Sequence, residues 1–503
     1  MRLDTRRLGL QVTLIKNVSR TTLDGATPVS SRFTGANPVI DLTPYMGEHN
    51  GVRVSKSVRE AAGSFSITLT DQLYYQGGTS YGDSLYGLIE PMDTIEIRMT
   101  GNAYKQSANG ACSRMPMMMR GFVSVVKKVE TMGADGRPQR QILVSGQDYG
   151  KILQIMQVFY MPGSPDDANY LTSFPFFTKF GIGATMQNAG DFYRQVFDKV
   201  VNPYIAAMRK NPDGSTSQAP LLPIATDFIA QAGQVSPFGT GDFRGGTIHH
   251  LIQSCGDIGP WNEFFIEDRE DAPYAVYRPN PFYGVDQLPI FSFPSGKFPI
   301  TTNITRQDVV SDEAARTDAN VANYFWCDAP RFNLNYVEAV RAMAVQASQD
   351  GIKPFVTDYP NIDPALYGAR KLWEQTQQGG PLETNNGNGT PEGAPRFANQ
   401  GDAVAWMTQR RLDLFNQNKD NVILESGSLR LKGNEAIKAG TYVQYGNGDM
   451  QSMYYAVAVE HDFAPYGSYF TTVQFERGTN FINRIQRNAG RDSPYLAELA
   501  DRS

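Results

Sequence analysis

Apolar and polar residues alternate in short runs along most of the chain, and that period of two predicts strands more often than helices. Near the C-terminus Tyr455, Val457 and Val459 share one face, then Tyr469, Thr471, Val473 and Phe475 share one face of the next run. Phe463-Ala464-Pro465-Tyr466-Gly467 lies between them, a connection of hairpin length with Pro and Gly. Upstream, Leu429 and Leu431 alternate with Arg430 and Lys432, and Tyr442 and Val443 open another strand after Gly440. Four strands in so short a stretch predict a small antiparallel barrel or sandwich.

The first half follows the same pattern. Strands are expected at residues 8–15, 39–42, 63–71, around Ile95 and Ile97, at 121–129 and at 141–145, so residues 1–158 read as one all-β domain. Residues 159–300 differ. Phe192, Val196, Phe197, Val200 and Val201 recur at helical spacing until Pro203, which is expected to kink or end that helix. A second helix is predicted at 247–254, then a strand from Trp261 to Asp268 pairing with one at 274–278. Residues 301–400 continue the α+β region, with strands near 309–312 and 323–327, a helix at 364–377 and a polar Gly/Asn-rich loop at 379–394. A helix at 402–416 leads into the last domain, residues 401–503. The fold class is therefore mainly β with α+β insertions: two small antiparallel β-barrel domains and a middle α+β domain.

The order of several short motifs resembles the phage baseplate hub family, which includes the late control protein D group and the N-terminal half of the VgrG spike. The matching residues at the C-terminus are Leu431-Lys432-Gly433-Asn434, Ala439-Gly440-Thr441-Tyr442-Val443, the run from Tyr455 to His461, and Tyr469-Phe470-Thr471-Thr472 leading to Glu476-Arg477-Gly478. Gly121 in Arg120-Gly121-Phe122-Val123, Gly146 and Asp148 in Ser145-Gly146-Gln147-Asp148, and Trp261-Asn262-Glu263-Phe264 add to it. Asp148 also reads as the cap of a helix beginning near Tyr149.

The resemblance implies tail-tube-like barrels and a homotrimer whose six similar modules dock on a six-fold tail tube, with a separate central spike protein below. Baseplate wedge and tape measure proteins are further partners it implies, and DNA would meet the chain only in transit through the lumen. The implied place is the tail baseplate of a contractile-tailed virion, assembled in the host cytoplasm, with a structural role, no cofactor and no catalytic or metal residues. A tailocin or secretion particle is the alternative setting. Gly63-Ser64-Phe65 with Thr68 matches Gly467-Ser468-Tyr469 with Thr471 or Thr472, which suggests an internal duplication.

Composition narrows the field. The 503 residues suffice for several domains, and a net charge of -5 gives no basic footprint for wrapping nucleic acid, while an acidic lumen would repel phosphate. Cys112, Cys255 and Cys327 are too few and too scattered for a disulfide framework or a four-Cys zinc site. No apolar run approaches the length of a membrane span.

Chemical candidates remain. Gly82-Asp83-Ser84-Leu85 spells a lipase nucleophile block, which would make the chain a serine hydrolase using Ser84. None of the four histidines follows an Asp by three residues, as that chemistry requires. His249 and His250 are adjacent and point about 100° apart on a helix, so packing or capping is expected of them. The run from Glu267 to Asp271 lacks the calcium-loop pattern and reads as a solvated turn, and the methionines at 115 and 117–119 read as strand core.

Overall fold

Period-two alternation becomes strands wherever one face has a core to cover. The computed structural model describes residues 8–16, 39–47, 51–76, 79–102, 115–132, 136, 138–159, 187–208, 221–229, 234–235, 245–328, 356–378, 400–447, 450–465 and 467–487. The first strands are β1 (Gly9–Ile15), β2 (Val39–Asp41), β3 (Val52–Ser57), β4 (Ser64–Thr70), β5 (Leu73–Gln76), β6 (Thr79–Ser84), β7 (Thr94–Thr100), β8 (Met117–Met132) and β9 (Pro138–Asp148). The middle region holds β10 (Gln157–Phe159), β11 (Gln187–Asn188), β12 (Ala225–Phe228), β13 (Gln234–Val235), β14 (Gly245–Thr247), β15 (Asn262–Asp268) and β16 (Pro273–Pro279). The remainder are β17 (Thr301–Thr305), β18 (Val309–Ala315), β19 (Tyr324–Asp328), β20 (Lys371–Gln375), β21 (Glu425–Lys432), β22 (Tyr442–Asn447), β23 (Met450–Phe463) and β24 (Tyr469–Gly478).

Thirteen of these strands form one sheet, and its order repeats. One half runs β18-β21-β24-β23-β22-β17 and the other β3-β4-β9-β8-β7-β1. With β2 and the β5–β6 hairpin set aside, each half places its strands in the same sequence relative to chain order. The long hairpins agree in detail: β8–β9 shifts register between Val123 and Val125, and β23–β24 between Ala456 and Ala458. Two residues before each bulged position, Phe122 faces Thr94 and Tyr455 faces Tyr442. One difference stands, since β1 runs antiparallel to β7 while β17 runs parallel to β22.

The duplication is thus present in strand order, although the residues matched in the sequence do not lie in equivalent strands. Topology equates β4 with β21, and β24 with β9. The glycine-led openings of β4 and β24 look alike because both start a strand after a turn.

The halves meet where β23 pairs antiparallel with β3, Ala458 opposite Ser57 through Phe463 opposite Val52. That contact uses an edge which closing the C-terminal half on itself would need, and the pairings among the described residues close no ring. Each half has its own core, around Val12, Ile67, Ile97 and Val144 in the first and Leu431, Tyr442, Val459 and Phe475 in the second.

The middle region packs a three-stranded sheet, β12-β16-β15, against helices at Ala189–Val196, Asn202–Ala207 and Ile248–Cys255. Pro203 does not end its helix. A π-type turn at Phe197–Val201 takes up the strain upstream, and Pro203 occupies the first turn of the next segment, where its missing N–H costs nothing. The helix expected at 364–377 is confined to Pro364–Tyr367; Gly368 at φ 73° stops it, and β20 then pairs parallel with β19. The 379–394 loop lies outside the described residues. Among the described residues no helix is long and apolar enough to cross a membrane.

Candidate functional site

The joint between the halves is built on a strand whose pattern breaks. In β3, Val52 and Val54 face the core and position 56 on the same face is Lys. Burying an ammonium demands partners. Lys56 Nζ lies 2.8 Å from Asp148 Oδ2 and 2.5 Å from Asp268 Oδ2, and donates to the Ile266 carbonyl at 3.2 Å. Burial pulls its pKa down, but the two carboxylates hold it above the ordinary lysine range. One side chain therefore ties β3 to the end of β9 and the end of β15. Asp148 also accepts from the Gly150 N–H at 2.8 Å, so it serves the start of helix Gly150–Ile155 while bound to Lys56.

His461 stands on β23 in the same joint, opposite Val54 and 4% exposed. Its Nε2 is 3.1 Å from the Ile437 carbonyl, which can only accept, so Nε2 donates. Nδ1, with one lone pair, then accepts from Tyr469 Oη at 2.9 Å, and Thr471 Oγ1 lies 3.2 Å away. Burial pushes the His461 pKa down to about 4, keeping the ring neutral. A small cavity lies beside it, lined in part by Val54, Lys56, Met118, Phe265 and Ile437. On the solvent face of the joint, Arg53 reaches Glu460 at 3.4 Å and Asp462 at 3.6 Å across the strands.

The motif glycines make room for rings and guanidinium groups. A Cβ on Gly433 would lie 1.9 Å from Tyr469 Cδ1, and one on Gly478 2.9 Å from the Tyr454 ring. Gly121 and Gly146 flank the Phe65 ring; a Cβ on Gly146 would come within 2.4 Å of it. Gly440 has φ +79°, and its carbonyl accepts from Arg278 Nη2 at 2.6 Å. Arg278 pairs with Glu263 at 2.5 Å, and Tyr455 Oη donates to the same carboxylate, so Gly440 and Tyr455 join one buried cluster that binds the middle sheet to the C-terminal half.

Trp261 and Asn262 belong elsewhere. Trp261 Nε1 donates to the Arg410 carbonyl at 3.0 Å, the Arg410 guanidinium lies 3.2 Å from Asp257 Oδ2, and Asn262 Nδ2 donates to the Gly256 carbonyl at 2.8 Å. This network anchors helix Gln400–Asn418 on the middle region. Thr472 is half-buried and faces Arg430 and Glu460; its neighbour Thr471 is the threonine that meets His461.

The acidic turn is exposed at its tip, Glu270 and Asp271, as expected of a solvated turn, but it also docks on the first half of the chain. Glu270 accepts from the Met117 N–H at 2.7 Å and from Arg98 Nη1 at 2.8 Å, while Arg120 Nη2 donates to its carbonyl at 2.6 Å. Beside it Met117, Met118 and Met119 are buried as strand core. Helix Ile248–Cys255 is capped by Thr247, whose Oγ1 accepts from the His250 N–H at 3.2 Å, and the His249 ring lies 6.4 Å from Phe264. Ser84 heads the short helix Leu85–Leu88. Among the described residues no group of three or more His, Cys, Asp or Glu is placed to hold a metal.

Sequence reading missed Arg53, Lys56, Arg278 and Arg410, and it named Glu263 and Asp268 without the partners they bind. The available signal was a charged residue at a core position: Lys56 follows Val52 and Val54 at strand spacing.

No protein-family model matches the sequence, and no curated protein matches it. Among solved structures, the chain is similar to a tail protein from Neisseria meningitidis MC58, at 8% identity and a TM-score of 0.44 over 93% of this chain and 96% of that one. It is also similar to the 43 kDa tail protein of prophage MuSo2 from Shewanella oneidensis, at 11% identity and a TM-score of 0.42 over 87% and 95%. A third is prophage tail protein gp18 from Listeria monocytogenes EGD-e, at 10% identity and a TM-score of 0.39 over 97% and 98%. One of these structural neighbours is a tail protein and two are prophage tail proteins.

Proposed function

We propose that this chain is the structural hub of a contractile-tail baseplate, a homotrimeric ring that joins the tail tube to a central spike and forms part of the DNA-ejection channel. The observation that carries the reading is the repeated strand order. Two modules of like topology joined edge to edge in one chain give three chains six similar modules, enough to meet a six-fold tube on one face and a three-fold spike on the other. The first module takes residues 1–158; the second takes residues 401–503 with β17 and β18; the region between is the α+β domain. Each module is tube-like in this reading, with closure achieved between modules.

The uncovered face of the sheet suits a channel wall. One row across six strands reads Arg430, Thr472, Glu460, Ser55, Ser64 and Gln147. Hydroxyl and amide groups dominate, and Arg53 on the same face is paired with two carboxylates, so a passing polyanion meets no unbroken basic stripe. A genome-free tailocin or secretion particle would use the same ring.

Negative-stain images of the purified chain test the ring. Particles with a central opening and six-lobed outline are expected; solid, compact particles at all concentrations contradict it.

A further inference from the structure

The internal joint has a counterpart that the single chain leaves open. Tracing the pairings strand by strand, β23 corresponds to β8 and β3 to β18. Ala458 and Val125 are each the first paired residue after a bulge, opposite Gln474 and Ser145. Gln474 faces Ser428 and Ser145 faces Ser66, while Ser428 faces Glu313 and Ser66 faces Arg53. Glu313 therefore holds the place of Arg53, and Val129 the place of Asp462.

Within the chain β23 spends its edge on β3. Among the described residues, residues 125–132 of β8 pair only with β9, and β18 pairs only with β21. Val125 is 54% exposed and Val310 52%. An exposed row of backbone donors and acceptors is a template for another strand.

We propose that copies of this chain join head to tail by laying this segment of β8 antiparallel on β18 of the next copy, with Lys127 opposite Ala315 and Val129 opposite Glu313. The inference rests on the hub reading and specifies how its ring closes. Charge supports the match. Lys127 and Lys128 are exposed on the β8 edge, Asp312 and Glu313 on β18. In this register Lys127 lies diagonal to Glu313, the geometry in which Arg53 meets Glu460 across the internal joint, while Glu130 falls opposite Asp312 and Lys128, 2.9 Å from Glu130 and diagonal to Asp312, is the cation between those two acids.

The polarity is reversed relative to that joint, where β3 carries the cation and β23 the acids. Reversal keeps the two kinds of joint from exchanging partners, because β18 brought against β23 in that register sets Glu313 opposite Asp462 and diagonal to Glu460.

Two variants test the register. With Cys112→Ser as background, Lys127→Cys combined with Ala315→Cys is oxidised and run on a non-reducing gel; covalent species ending at a trimer are expected. Lys127→Glu with Lys128→Glu should abolish the trimer peak while leaving the far-UV spectrum unchanged, and adding Asp312→Lys and Glu313→Lys to that chain should restore it. A trimer that survives the lysine reversals and gives no disulfide-linked species overturns this edge assignment and leaves the hub reading intact. A wild-type chain that is monomeric at every concentration overturns both.

Discussion

Individual positions carry sharply different weights. Gly433 has no space for a methyl group, since a Cβ would fall inside the Tyr469 ring contact. Gly433→Ala is expected to destabilise by about 1–3 kcal/mol, the usual cost of overpacking, read as a lower urea midpoint with an unchanged slope. His461 sets a pH dependence. Its folded pKa of about 4 lies below the value of about 6.5 for an unperturbed histidine, so the fold favours the neutral ring. The stability this contributes is fully present above about pH 6.5 and is lost as pH falls through 4, on the order of 3 kcal/mol in all. Urea unfolding of wild type and His461→Gln across that range should show the wild type losing more; parallel curves would contradict the assignment.

At the scale of elements, the joint strand β3 separates buried from exposed charge. Lys56→Ala leaves Asp148 and Asp268 buried without their cation, and a loss of about 3–5 kcal/mol is expected. Arg53→Ala removes pairs from a side chain that is 56% exposed, so a change within about 1 kcal/mol is expected. Thermal unfolding of the two variants side by side checks the ranking.

The same strand shows what the sequence makes legible. The β23–β24 hairpin and β4 announce themselves through local period, because one face of each is apolar; the β15–β16 pair, buried on both faces, is legible instead from its aromatic and β-branched runs on either side of an acidic turn. β3 does not, because its third core position is Lys56, and only the folded chain shows the two acids that make this tolerable. Register between strands some four hundred residues apart, as in Asp462 opposite Arg53, leaves no local trace. Nor does the docking of Glu270: five charged residues in a row read as a solvated turn, and although Glu270 stays exposed, its bonds to Arg98, Arg120 and the Met117 amide appear only in the folded chain. The motif glycines were visible as residues, whereas their reasons, the close backbone of the neighbouring strand at Gly121 and Gly146 and the rings of Phe65, Tyr454 and Tyr469, required the packing.

For the whole molecule, the proposed ring of three chains rests on the duplicated strand order, the internal β23–β3 joint and the open edges of β8 and β18. The mass of the purified chain in solution, measured by light scattering over a range of concentrations, tests this most directly. A species of three times 55.7 kDa is predicted, persisting on dilution. A mass of 55.7 kDa throughout would contradict it.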